Sequence, residues 1–206
     1  MKKNNLYYEL LGRINELEAR VKDLEVKENN RTEVKDTVSN IKENKISKNE
    51  MIADIRDILA SRLNAKNVFA RKAIPKNGEG SGIIIENEDT GDKKKILVKK
   101  SKDYSEEANI DDKFEFSGWF TSIESELREY DGYIFVVYKH SLPTYFVFDK
   151  QDMKSILESK TRDSNNKYHF YLAEDKNGQY FDHRDNQMSL TQNVDAWKKI
   201  EEIIMN

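Results

Sequence analysis

Lys99 closes an apolar run, Ile96-Leu97-Val98, and the carboxylates Glu79, Glu86, Glu88 and Asp89 precede that run around a turn marked by Gly91. Carboxylates are the side chains that hold Mg²⁺, and a bound metal activates water, so a stretch that brings acids and a lysine together could do metal-dependent hydrolysis. The same acids have a plainer use, because acidic residues in a glycine-containing hairpin keep a turn solvated.

Lys93, Lys94, Lys95, Lys99, Lys100 and Lys102 crowd the same stretch and form a candidate nucleic-acid-binding strip. Alternate lysines also solvate one strand face and discourage edge pairing. The whole chain does not favour nonspecific attraction to nucleic acid: its formal net charge is -3 and its pI near 5.8, whereas such binding rests on a basic field. With no cysteine, neither a disulfide framework nor a cysteine zinc site exists. His140, His169 and His183 are scattered without metal spacing. Polar asparagines follow Met1-Lys2-Lys3, no apolar leader segment develops, and no run approaches the length of a membrane span. The expectation is a cytoplasmic protein with no membrane contact.

The segment from about Ser47 to Trp197 resembles a bacterial branch of the PD-(D/E)XK nuclease superfamily, whose second motif reads roughly Ile-Gln-Val-Lys-Thr-Ser. Here the run is Ile96-Leu97-Val98-Lys99-Lys100-Ser101, which keeps the lysine and serine and puts leucine at the ligand position. The first aspartate of the family, which precedes three apolar strand residues, falls on Gly82 ahead of Ile83-Ile84-Ile85. Some members carry a further metal-binding glutamate on the first helix, and Glu50 is the residue in that region. It stands three residues after Ser47, however, as the second half of a capping box. The resemblance implies a restriction-endonuclease-like fold with both metal ligands lost, in the bacterial setting of restriction or phage defence. In that family two carboxylates hold Mg²⁺ and the lysine helps position the attacking water, which makes Lys99 and Glu86 the candidate catalytic residues and Glu79, Glu88 and Asp89 further places to which a ligand could have moved.

The elements that must position these residues are legible from periodicity. Ile52, Ile55, Leu59 and Leu63 recur at helical spacing behind the capping box. Val68-Phe69-Ala70 and Ile83-Ile84-Ile85 read as strands, separated by Pro75, Gly78, Gly80 and Gly82. Phe114, Phe116 and Phe120 alternate with Trp119 opposite, as on a half-buried strand. Tyr133 to Tyr138 is apolar on both faces, as a central strand requires, and Tyr145 to Phe148 follows Pro143 as its hairpin partner. Asp149 caps a helix carrying Met153, Ile156 and Leu157, and Asn177-Gly178 turns a last hairpin between Tyr168 and Phe181. Val194, Trp197, Ile200, Ile203 and Ile204 are expected on one face of a closing helix. The fold class is α/β or α+β, a mixed central sheet flanked by helices.

Ahead of this domain, Tyr7, Leu10, Ile14, Leu17, Val21 and Leu24 fall at alternating intervals of a heptad seam. With Tyr7, Ile14 and Val21 at a and the leucines at d, a parallel pair sets Arg13 against Glu18 and Arg20 against Glu25 of the partner. The alternative is a lone amphipathic helix docked on its own domain. The predicted organisation is a coiled-coil dimerisation helix over 1–27, a polar linker over 28–46 and the nuclease-like domain over 47–206. Three functions follow. The first is a catalytically degenerate subunit, homodimeric, that binds nucleic acid or a partner protein. The second is an active, divergent Mg²⁺-dependent nuclease using Lys99 with relocated carboxylates, and the third is a protein-directed regulator or inhibitor.

Overall fold

The structure, a computed structural model, describes residues 46–63, 68–72, 82–184 and 187–205. The heptad seam from Tyr7 to Leu24 with its flanking Arg13, Glu18, Arg20 and Glu25, the linker up to residue 45, and Glu79 lie outside the described residues. The described chain begins at half-buried Ile46, which packs against the hydrophobic core.

Helix α1 spans Lys48–Leu63 and starts where the capping box predicts. The Ser47 N–H donates to Glu50 Oε2 at 2.6 Å, and the Glu50 N–H donates to Ser47 Oγ at 3.2 Å. Its stripe of Met51, Ile52, Ile55, Leu59 and Leu63 is buried. Three antiparallel strands follow, β1 Val68–Lys72, β2 Gly82–Asn87 and β3 Lys93–Lys102. The chain then leaves this sheet for β4, Phe114–Ile123, and the short helix α2, Glu124–Arg128. It returns as β5, Gly132–Lys139, parallel to β3, and turns at once into antiparallel β6, Leu142–Asp149. The result is a mixed five-stranded sheet of order β1-β2-β3-β5-β6.

Asp149 opens helix α3, Lys150–Glu158, through a capping box with Asp152. Strands β7, Lys167–Asp175, β8, Tyr180–Asp182, and β9, Met188–Ser189, then join β4 in a second, antiparallel sheet of order β4-β7-β8-β9. Gly178, at φ +75°, supplies the left-handed residue that the β7–β8 turn needs. The last described element is helix α4, Lys198–Met205.

These elements make an α+β structure in which the mixed sheet has two unlike covers. Alternation sends Ile96, Val98, Ile134, Val136 and Val147 to one face, against α1 and α4. The residues between them, Leu97, Tyr133, Phe135, Val137, Phe146 and Phe148, face the second sheet. The expected helices thus flank the mixed sheet, but on one side they share the cover with a second sheet. Across the other face lie Phe116 and Phe120 of β4 and Phe170 and Leu172 of β7, with Leu127 of α2 and Met153 of α3 in the same core. Phe135 is the hub, 4.9 Å from the Phe120 ring, 5.3 Å from Phe170 and 5.8 Å from Phe148. Gly118 admits the close crossing of β4 over β5, since a Cβ there would lie 2.4 Å from Val137 Cγ2.

One expected element ends differently. Val194 is not part of the closing helix: it bridges to Phe146 and packs into the inter-sheet core. Asp195 at φ +50° breaks the run, its N–H donating to the Tyr145 carbonyl, and the helix begins only at Lys198. Apolar spacing alone could not register that break. Among the described residues no helix is long and apolar enough to cross a membrane.

Two polar groups are buried with the second sheet. Lys160 and Asp182, each with 2% side-chain exposure, pair at 2.7 Å, and burial pushes the Asp182 carboxyl above its usual range. Lys160→Met alone should lower stability by about 3–5 kcal/mol, because it strands a buried carboxylate, and a second change, Asp182→Leu, should recover much of that loss in urea unfolding. His183 stacks on Phe114 at 4.7 Å and meets Ser117 Oγ at 2.8 Å through Nε2. Burial holds its pKa below the ordinary 6.5. The unfolded chain therefore takes up this proton first, so the stabilisation is complete above about pH 6.5 and is lost as pH falls toward the folded pKa. Denaturation midpoints should fall between pH 7 and 5 more steeply for the native chain than for His183→Gln.

Candidate functional site

The two positions at which the resemblance expects metal ligands are cross-strand neighbours. In the β2–β3 register Gly82 is directly opposite Leu97, and alternation places Leu97 and Lys99 on the same face of β3. The backbone geometry for paired carboxylates on neighbouring strands is thus present. The side chains fill it with hydrocarbon instead: Leu97 is 1% exposed in the core with Leu127, Tyr130 and Tyr133. At Gly82 a Cβ would meet the Ile96 carbonyl oxygen at 2.4 Å and the Tyr130 ring at 3.2 Å. Neither position offers an oxygen donor from its side chain, so these two positions do not fit a bound Mg²⁺.

Lys99 has a carboxylate partner, and it is none of the acids singled out by sequence. Its Nζ donates to Glu126 Oε2 at 2.8 Å and to the Thr121 carbonyl at 2.7 Å. Glu126 also accepts from the Ser122 hydroxyl. Lys99 and Glu126 retain 19% and 23% side-chain exposure, so the pair lies at the edge of the core, within reach of water. Lys48 adds a second ammonium to this neighbourhood. Desolvation lowers its pKa first, the like charge of Lys99 lowers it further, and Glu126 opposes both.

Glu86 is elsewhere. It is paired with Lys93 across the β2–β3 ladder, its Oε1 is 3.0 Å from Lys93 Nζ, and its Oε2 is 3.7 Å from Arg71 Nε. Lys93 and Lys99 are separated by roughly 20 Å of strand, so Lys99 and Glu86 do not form one centre. Glu88 and Asp89 occupy the β2–β3 turn, where Asn87 Oδ1 accepts from the backbone N–H groups of Asp89 and Thr90 at 3.0 and 3.3 Å. Glu50 serves as the cap of α1. The Ser47 N–H and hydroxyl hold its carboxyl below the usual range.

The lysine strip divides between two faces. Lys99 joins the inter-sheet side, whereas Lys100 donates to the Ile46 carbonyl and lies 5.2 Å from the Tyr138 ring on the helix side. Lys102 pairs with Glu107 and covers Tyr104. The Lys95 backbone N–H donates to Asp131 Oδ2 at 2.8 Å, and Lys94 adds its charge beside the same carboxylate. Burial would raise the Asp131 pKa, but the hydrogen bonds from Lys150 and Lys95 outweigh it and the pKa is lowered. Lys93, Lys94, Lys95, Lys99, Lys100 and Lys102 therefore do not form a single basic groove. Among the described residues no group of three or more His, Asp or Glu side chains converges so as to hold a metal ion.

Comparison with protein-family models, with curated proteins and with solved structures gives no significant match. The site thus rests on its own geometry. Sequence reading missed Glu126, which lies in a helix of five residues, too short for periodicity to reveal. Its only signal is the cluster of acids at the start of α2, Glu124 and Glu126.

Placing acids at Gly82 and Leu97 tests whether these two positions can hold a metal. The double change Gly82→Asp and Leu97→Glu should destabilise the fold by more than about 3 kcal/mol, since one side chain clashes with backbone and the other buries a charge. Adding Mg²⁺ should not raise its melting temperature above that of the Mg²⁺-free double variant.

Proposed function

We propose that this chain is a catalytically degenerate module of the restriction-endonuclease-like fold. In this reading it works as a nucleic-acid-binding or partner-binding subunit, homodimeric through its N-terminal helix. The observation that carries it is the pairing of Gly82 with Leu97 beside Lys99. A PD-(D/E)XK centre would have its two acids at those positions, and here they are sealed by Tyr130 and Leu127. The order of α1, an antiparallel β1-β2-β3 meander and a parallel β5 beside β3 supports the same reading. The heptad seam, with Ile14 at its centre, supports the dimer. The bacterial restriction or phage-defence setting and a cytoplasmic location are part of this proposal.

A second reading, an active divergent nuclease, is favoured by one observation, the 2.8 Å contact of Lys99 with Glu126. Here Glu126 replaces Glu86 as the relocated carboxylate and Mg²⁺ is the cofactor. Cleavage assays with Mg²⁺ or Mn²⁺ on DNA and RNA separate the two. The degenerate module yields no cleavage, whereas activity that disappears in both Lys99→Ala and Glu126→Gln would establish the nuclease. A third reading, a protein-directed regulator, gains if neither DNA nor RNA is retained. For the dimer, light scattering should give twice the chain mass, falling to the monomer mass in Ile14→Lys. A monomeric mass for both proteins refutes it.

A further inference from the structure

The outer face of the four-stranded sheet carries aromatic side chains where a solvated sheet face would ordinarily be polar. Trp119 is 43% exposed and Ile123, on the same side of β4, is 40% exposed. Trp119 is paired in register with Tyr171 of β7, and His169 is two residues along that strand. The Trp119 Nε1–H donates to His169 Nδ1 at 3.1 Å, and the two rings are only 10° from parallel. An indole N–H and an imidazole lone pair both lie in their ring planes. A hydrogen bond between nearly parallel rings therefore sets them edge to edge, as one flat tile. Because the indole is only a donor, His169 carries its proton on Nε2, where Asp163 Oδ2 receives it at 2.9 Å. The Tyr171 ring lies nearly parallel to both, tilted by 16° from Trp119 and 15° from His169, with its centroid 6.4 Å from each.

Cations stand at both ends of this row. Arg184 lies over the Tyr171 ring at 4.8 Å and reaches its hydroxyl. At the other end Lys102 lies over the Tyr104 ring at 4.8 Å, and Tyr104 meets Trp119 edge-on at 6.2 Å. Asp163 is engaged by His169, and Lys102 pairs with Glu107 at 55% and 61% side-chain exposure, a solvent-facing contact that a phosphate can displace. A flat aromatic surface between two cations matches an unpaired nucleobase between two backbone phosphates. A duplex keeps its base faces stacked inside and cannot use such a tile.

We propose that this face binds single-stranded nucleic acid, with a base stacked on the Trp119–His169 tile and the flanking phosphates met by Lys102 and Arg184. The inference rests on the nucleic-acid-binding reading above, keeps only Lys102 of the β3 lysines and moves the rest of the contact surface to the second sheet. It also supplies a direct signal, because the other tryptophan, Trp197, is 4% exposed in the opposite core.

The test uses the full chain with a labelled oligothymidine of about 15 nucleotides and a duplex of the same length, read by fluorescence anisotropy and by tryptophan emission. The single strand should bind more tightly than the duplex and quench an emission that is absent from Trp119→Phe. Trp119→Ala should weaken binding roughly ten- to hundredfold with an unchanged melting temperature. Arg184→Ala should weaken it and flatten its salt dependence, whereas Lys94→Gln with Lys95→Gln should leave it close to the native value. Single-strand binding that survives both Trp119→Ala and Arg184→Ala overturns the inference and leaves the broader reading standing. So does a preference for duplex. Absence of binding to either probe and to an oligouridine of the same length overturns both this inference and the nucleic-acid-binding reading, and favours the protein-directed regulator.

Discussion

Burial of β5 on both of its faces is the constraint on which the rest of this structure depends. A strand with apolar side chains pointing both ways demands two covers, and each must be built from a different part of the chain. Ile134 and Val136 draw α1 and α4 onto one face, while Phe135 and Val137 draw β4 and β7 onto the other. Every functional feature is then placed by those covers. Leu97 must complete the inter-sheet core, and Lys99, next on the same face, emerges where that core meets α2.

The same constraint separates what sequence could reveal from what it could not. Local rules were legible: the Ser47–Glu50 and Asp149–Asp152 boxes, the Gly178 turn, and the two-sided apolarity of β5 all appear as read. So does the outward face of Trp119. What failed depended on distant partners. Nothing local in β3 shows that Lys99 meets Glu126, or that Glu86 is spent on Lys93 and Arg71. Likewise the second sheet forms between strands far apart in sequence, so its strands were recognisable one by one but their union over the mixed sheet was not.

Charge here is arranged pairwise. The crowding of lysines in β3 looks like a basic surface when written as a line, yet the strand's alternation distributes them to two sides. Several of those side chains then find a carboxylate or carbonyl: Lys93 with Glu86, Lys99 with Glu126, Lys100 with Ile46, Lys102 with Glu107. The exposed ion pairs among them, Lys93 with Glu86 and Lys102 with Glu107, add little stability each. Their larger effect is to erase the continuous positive field that a duplex-binding groove would need.

The route between β3 and β5 has a consequence for how the molecule assembles. These parallel neighbours are joined by residues 103–131, and that connection contains β4, whose own partner β7 arrives only after β6 and α3. The two sheets are thus threaded through one another in chain order, and the first cannot be finished before the edge of the second has been laid down. Contacts so remote in sequence make folding slow for a domain of this size. They also make it indivisible: a cut on either side of β4 would leave two fragments, each missing a strand that the other holds.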